Sequence, residues 1–106
     1  VTDARGEADF RLLRDAAHHA FDALWTDLGG AVTQSVGVRG TARQAKARRR
    51  VWRRQRDRAY AWLAHQLGVP IESCHFGRFD AAALWRVRAL CAGADPRAVR
   101  SFREAA

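Results

Sequence analysis

"ARQAKARRRVWRRQRDRAYAWLAHQLGVP", residues 42 to 70, runs twenty-six positions without Gly or Pro and then meets Gly68 and Pro70. Ala, Arg, Gln and Leu favour helix, and a Gly followed closely by Pro ends one. The stretch therefore predicts a helix from Ala42 to Leu67, with Thr41 placed to cap it. On a wheel of about 100° per residue, Val51, Trp52, Ala59, Trp62, Leu63 and Leu67 share one broad side. Arg43, Lys46, Arg50, Arg53, Arg54 and Arg58 take the opposite side. Arg48 and Arg49 intrude on the apolar side before Val51, so the first turns are expected to project beyond the core or to fray, becoming ordered when bound. A helix with one apolar side needs others to cover it, and the flanking sequence supplies them.

Upstream, "DFRLLRDAAHHAFDALWTDL" (9 to 28) sets Phe10, Leu13, Ala17, Phe21, Leu24 and Leu28 at steps of three and four, an amphipathic helix stopped by Gly29 and Gly30. Between the two helices, residues 29 to 40 hold four glycines and read as a loop, with a short extended piece around Val36 and Val38. Downstream, "VPIESCHFGRF" (69 to 79) reads as a compact loop. Asp80 is the natural N-cap of "AAALWRVRALC", a helix to about Ala92 with Leu84, Val87, Leu90 and Cys91 inward. Asp95 and Pro96 then start a short last helix that buries Val99 and Phe102. The expected fold class is all-α: one small compact domain over 1–106, of three to four helices, one of them long and basic. No repeat, GxGxxG, P-loop or long heptad run is present.

The net charge of +8 is concentrated. Residues 39 to 58 carry ten basic side chains and one acid, while the rest of the chain has nine basic and ten acidic residues. Eighteen arginines to one lysine fit a GC-rich coding sequence, which accounts for the choice of Arg over Lys and not for the clustering. Segmental charge of this kind is the footprint of a nucleic-acid contact. No run approaches about 18 apolar residues and the N-terminus lacks a signal-peptide layout, so neither membrane nor export is implied. Cys74 and Cys91 form no CxxC pair, and reduced thiols in a cytoplasm are the expectation. The lack of any Met, even at position 1, suggests a true start upstream.

Three stretches resemble the C-terminal part of a family of phage and prophage proteins described as zinc-finger-containing. The matched positions are Ala17, His18, Phe21, Asp22, Leu24 and Trp25; Tyr60, Trp62, Leu63, Ala64, Leu67 and Gly68; then Cys74, His75, Gly77, Phe79, Asp80 and Cys91. They cover roughly half the chain in order. The family's Cys-rich zinc-ribbon-like N-terminus has no counterpart here, so its metal site transfers to no residue. Residues 29–58, with the glycine-rich loop and the arginine run, stand as an insertion where members have a short turn. The resemblance implies a phage or mobile-element setting in a bacterial host cell, and leaves the biochemical role open.

The candidate binding residues are Arg43, Lys46, Arg48, Arg49, Arg50, Trp52, Arg53, Arg54, Arg56 and Arg58. Like charges at i,i+4, as in Lys46/Arg50, Arg49/Arg53, Arg50/Arg54 and Arg54/Arg58, cost about 0.2–0.5 kcal/mol each, a penalty that a polyanion relieves. From Arg43 to Arg58 the run spans roughly 22 Å, enough to follow a phosphate backbone. Trp52, set among the arginines, reads either as a stacking platform for an unpaired base or as an Arg-stacked edge of the core. Trp25, Trp62 and Trp85 lie at or beside apolar stripes, and core packing is their ordinary role. His18, Cys74, His75 and Cys91 are the only zinc-competent set, yet no short chelating pair anchors it. The plainer assignment makes Cys91 a core residue and has His18 and His75 hydrogen-bonded to loop carbonyls or to a carboxylate such as Asp22. No paired carboxylates, Ser elbow or oriented Cys-His dyad is visible, so no enzyme is expected.

Three functions follow. The first is a small helical protein holding DNA or RNA by its phosphate backbone without a helix-turn-helix. The second is a protein-binding inhibitor or accessory factor, for example one directed against host defence, whose basic face docks on an acidic host protein. The third is an RNA-specific arm that folds on contact.

Overall fold

The computed structural model describes residues 4–26 and 42–103. The expected glycine-rich loop at 29–40, Leu28 and the expected cap Thr41 lie outside the described residues. Two long helices, α1 (Ala4–Thr26) and α2 (Ala42–Leu67), are followed by α3 (Ala81–Ala92) and the short α4 (Pro96–Arg100). Single 3-10 turns at Ile71–Ser73 and Phe76–Arg78 link α2 to α3. The chain is all-α, and no strand occurs among the described residues.

The ends of these elements are set by local chemistry. Gly68, at φ 69°, takes the left-handed conformation that closes α2. Its N–H donates to the His65 carbonyl at 3.2 Å and the Val69 N–H to the Ala64 carbonyl at 3.1 Å, the paired bonds of a Schellman cap. A side chain at Gly68 would meet strain from that φ alone. Asp80 caps α3 by accepting from the Ala83 N–H at 2.8 Å. Asp95 caps α4 by accepting from the Arg97 N–H at 3.1 Å, with Pro96 at the first helical position.

The core joins one end of each long helix to the C-terminal half. Ala17, Phe21, Leu24 and Trp25 of α1 meet Ala59, Trp62, Leu63 and Ala64 of α2, and Leu84, Val87, Cys91 and Val99 close the other side. α1 lies most closely along α3, and α2 packs on α1, α3, α4 and the first 3-10 turn. The turns are anchored by their own buried residues, Cys74, Phe76 and Phe79. Arg86 ties α3 to α2, its Nη2 donating to the Gln66 carbonyl at 2.9 Å.

Three expectations are corrected. Trp85 is 58 % exposed instead of core: it sits one residue past Leu84, about 100° off the stripe that Leu84, Val87 and Cys91 bury, and the Arg88 guanidinium covers its ring at 5.0 Å. Phe10 is 38 % exposed, because burial on α1 begins only at Ala17. Phe102, expected with Val99 as the buried pair of the last helix, lies beyond that helix's end at Arg100 and is half-buried against the core.

Phe21→Ala, which empties a fully buried site, is expected to lower unfolding free energy by about 3–5 kcal/mol in urea denaturation. Asp80→Ala should cost about 1 kcal/mol through the lost cap. Leu12→Ala, at a side chain 67 % exposed, should stay within about 0.5 kcal/mol of the parent.

Candidate functional site

α2 changes character along its length. From Ala42 to Arg58 no described side chain is buried; from Ala59 to Ala64 four of six are. The first seventeen residues thus extend about 25 Å at 1.5 Å per residue with only partial cover. Val51, Gln55 and Arg58 are half-buried there, while Arg43, Lys46, Arg49, Arg50, Arg53, Arg54 and Arg56 are exposed. The projecting basic half expected from the sequence is present as helix.

Its outer face gathers Lys46, Arg49, Arg50, Arg53 and Arg54 around a shallow open depression, with Asp57 as the sole acid. Among the described residues, none of these five cations pairs with a carboxylate. Asp57, four residues after Arg53 and three after Arg54, is the one described acid beside the set and forms no ion pair with them, so most of the i,i+4 repulsion within it remains. Such a face stabilises any polyanion laid along it.

A second feature lies on the neighbouring side of α2. Trp52, Arg56 and Tyr60, at successive steps of four, face Arg14, His18 and Asp22, also at steps of four, across a cleft of about 660 Å³. Helical periodicity puts each trio on one face, and the antiparallel approach of the helices brings them opposite. Trp52 meets Trp25 edge-on at 5.0 Å, and Tyr60 meets Phe21 at 4.8 Å. Phe76 forms part of the lining, stacked on His18 at 4.5 Å. The Arg56 guanidinium rests over both Trp52 and Tyr60, 5.9 and 5.6 Å from their centroids. Asp22 is engaged twice: Oδ1 accepts from Trp25 Nε1 at 3.1 Å and Oδ2 lies 3.4 Å from His18 Nε2. Burial, with the nearby Asp22 charge, raises the Tyr60 hydroxyl above its usual range against the opposing pull of Arg56, so it stays protonated.

Of the sequence candidates, the structure joins Lys46, Arg49, Arg50, Arg53 and Arg54 on one face and puts Trp52 and Arg56 on the cleft side. Trp52 is 42 % exposed, meets Trp25 at the edge of the core and has the Arg56 guanidinium over its ring. Arg14, Asp15, Trp25, Tyr60 and Phe76 also line the cleft and are not among the sequence candidates; the i,i+4 series 14-18-22 and 52-56-60 is a signal that marks Arg14 and Tyr60 but not the other three. The zinc set does not converge. Cys74 is buried and the adjacent His75 exposed, His18 is taken up by Asp22 and Phe76, and Cys91 belongs to the core. Among the described residues no three His, Cys, Asp or Glu side chains are placed to share a metal. Burial also pushes both thiols up to about 11, so both stay protonated at neutral pH. No helix of the described residues is long and apolar enough to cross a membrane.

No family model, curated protein or solved structure matches the chain.

The raised thiols make a direct prediction. At neutral pH a thiol reagent should modify Cys74 and Cys91 far more slowly in the native protein than after denaturation. Between about pH 9, where an unfolded thiol ionises, and about pH 11 the folded state holds the extra protons, so stability should fall as pH rises through that window. Cys91→Ala should make the fall shallower in denaturation curves taken across it.

Proposed function

We propose that the chain is a small nucleic-acid-binding protein of phage or prophage type that holds the phosphate backbone of its partner through the basic face of α2. The observation that carries this is the open face of Lys46, Arg49, Arg50, Arg53 and Arg54, beside a single acid and without a carboxylate partner among the described residues. The five cations span about 12 Å of helix axis, so they address several consecutive phosphates at once. A binding role suits a site of five cations beside the single acid Asp57, with no nucleophile among them. The phage setting rests on the matched residues between Ala17 and Cys91.

The runner-up is a factor that docks on an acidic host protein. Trp85 with Arg88 on α3 favours it, since an exposed Trp and Arg together are typical of protein interfaces. Both partners would use the same basic face, and both contacts weaken in salt. They separate by whether naked nucleic acid suffices.

Labelled duplex DNA, single-stranded DNA and RNA, titrated between about 50 and 300 mM salt, should bind with micromolar or better affinity at the lower end. Neutralisation of about five phosphates predicts a slope of log affinity against log salt near −4 to −5 on duplex DNA. Joint replacement Arg49→Glu, Arg50→Glu, Arg53→Glu and Arg54→Glu should abolish binding. Lack of binding at the lower salt, or indifference to the charge reversal, sinks the proposal in favour of the protein partner.

A further inference from the structure

The cleft between α1 and α2 differs in kind from the basic face beside it. Its cations, Arg14 and Arg56, are matched by two carboxylates, Asp15 and Asp22. The outer face has five cations to one acid. A phosphate therefore belongs on the outer face, whereas the cleft is suited to a flat group without net charge. Its walls provide aromatic rings, with Trp52 leaving 42 % of its surface open at the rim. The volume of about 660 Å³ lies within the range of sites that hold small ring ligands, about 300–1,000 Å³.

The two surfaces share an edge along α2. Arg49 lies three residues before Trp52, and Arg53 three before Arg56, and residues at that spacing are neighbours on a helix. A strand whose phosphates run along Arg49 and Arg53 consequently has its next unit of structure, the base, beside Trp52. In a duplex that base is paired and stacked and its face is closed. In a single strand the face is available.

We propose that this cleft seats an unpaired base of a single-stranded nucleic acid, stacked on Trp52, while the flanking phosphates ride on the basic face of α2. The seat rests on the phosphate-binding role proposed above. Arg56, which now lies over the Trp52 and Tyr60 rings, swings outward to a phosphate as the base enters, exchanging two cation-π contacts and its hydrogen bond with Tyr60 for base stacking plus a charge-assisted bond. His18 and Asp22 remain paired and support the α1 wall. DNA and RNA present the same ring and the same phosphate, and the seat as built takes either.

The test measures binding by anisotropy at about 50 mM salt, with fluorescein-labelled twelve-nucleotide oligothymidine, oligouridine, a mixed-sequence duplex of equal length, and an oligothymidine in which the central bases are replaced by abasic sites. Base-aromatic stacking worth about 1–3 kcal/mol predicts that Trp52→Ala weakens the two single strands by about 5- to 150-fold and the duplex less than about twofold. Trp52→Phe, which keeps a ring, should retain most of the affinity. The abasic strand should bind the parent protein as weakly as the intact strand binds Trp52→Ala, with no further loss when both changes are combined. Because the abasic arm leaves the protein untouched, it decides the matter even if Trp52→Ala unfolds. Equal losses on duplex and single strand, or abasic and intact strands bound alike, overturn the base seat while the phosphate-binding role stands. Absence of binding to every polymer overturns that role and the seat with it. Preference for oligothymidine or for oligouridine assigns the seat to DNA or to RNA.

Discussion

Phe21 holds the fold together at the point where three separate segments meet. Fully buried, it contacts Tyr60 of α2 edge-on at 4.8 Å and Phe76 of the second 3-10 turn at 5.6 Å. Phe76 in turn meets Tyr60, Phe79 and His18. This ring cluster fixes the approach of α1 to α2 and pins the link that leads into α3. Aromatic pairs contribute about 0.5–1.5 kcal/mol each beyond area burial, and here several share members, so the junction acts as a unit. Everything on the partly covered side of α2 is positioned relative to it.

One helix serves two solvents. From Ala59 onward α2 is a core element, its buried residues clasped between α1 and the C-terminal half. Before Ala59 it is held by half-buried positions and by the Trp25–Trp52 contact, and it carries nearly all of the chain's excess positive charge. The core half therefore provides the free energy that keeps the repulsive half helical, since like charges four apart oppose helix by a few tenths of a kcal/mol each. A basic segment held in this way meets a polyanion with its side chains already in register and loses less entropy on binding than a disordered arm would.

Punctuation made much of the fold legible. Gly68 and Pro70 mark the end of α2, Asp80 and Asp95 mark the starts of α3 and α4, and each acts locally in a way that distant contacts do not alter. The inward face of α3 follows from steps of three and four with the same security, whereas the five-residue α4 buries Val99 alone and leaves Phe102 past its end. Trp85 was misplaced because size and hydrophobicity outweighed its position, although strict counting from Leu84 and Val87 puts it outside. Ala4 to Ala8 belong to α1 without an apolar stripe to announce them. Within the site, the cationic stripe was visible as sequence, and Trp52 as its outlier. The opposite wall was not, because the meeting of residues 14 to 26 with residues 52 to 60 and 75 to 77 depends on how helices pack across long separations.

The position of the cleft follows from the same geometry. Where α2 leaves the core it keeps its helical phase, so positions 52, 56 and 60 continue down a line that begins among buried residues and ends in solvent. Tyr60 is half-buried, Arg56 exposed at the rim and Trp52 open at the edge of the core. α1 runs beside this line as far as Trp25, close enough for ring contact and not close enough to cover it. An aromatic face left partly open next to a dense run of cations is costly as a purely structural arrangement, since its apolar surface stays in water and its like charges crowd one another at helical spacing. Both costs would fall together under the proposed ligand, since flat rings and negative charge in alternation are the covalent pattern of a single nucleic-acid strand.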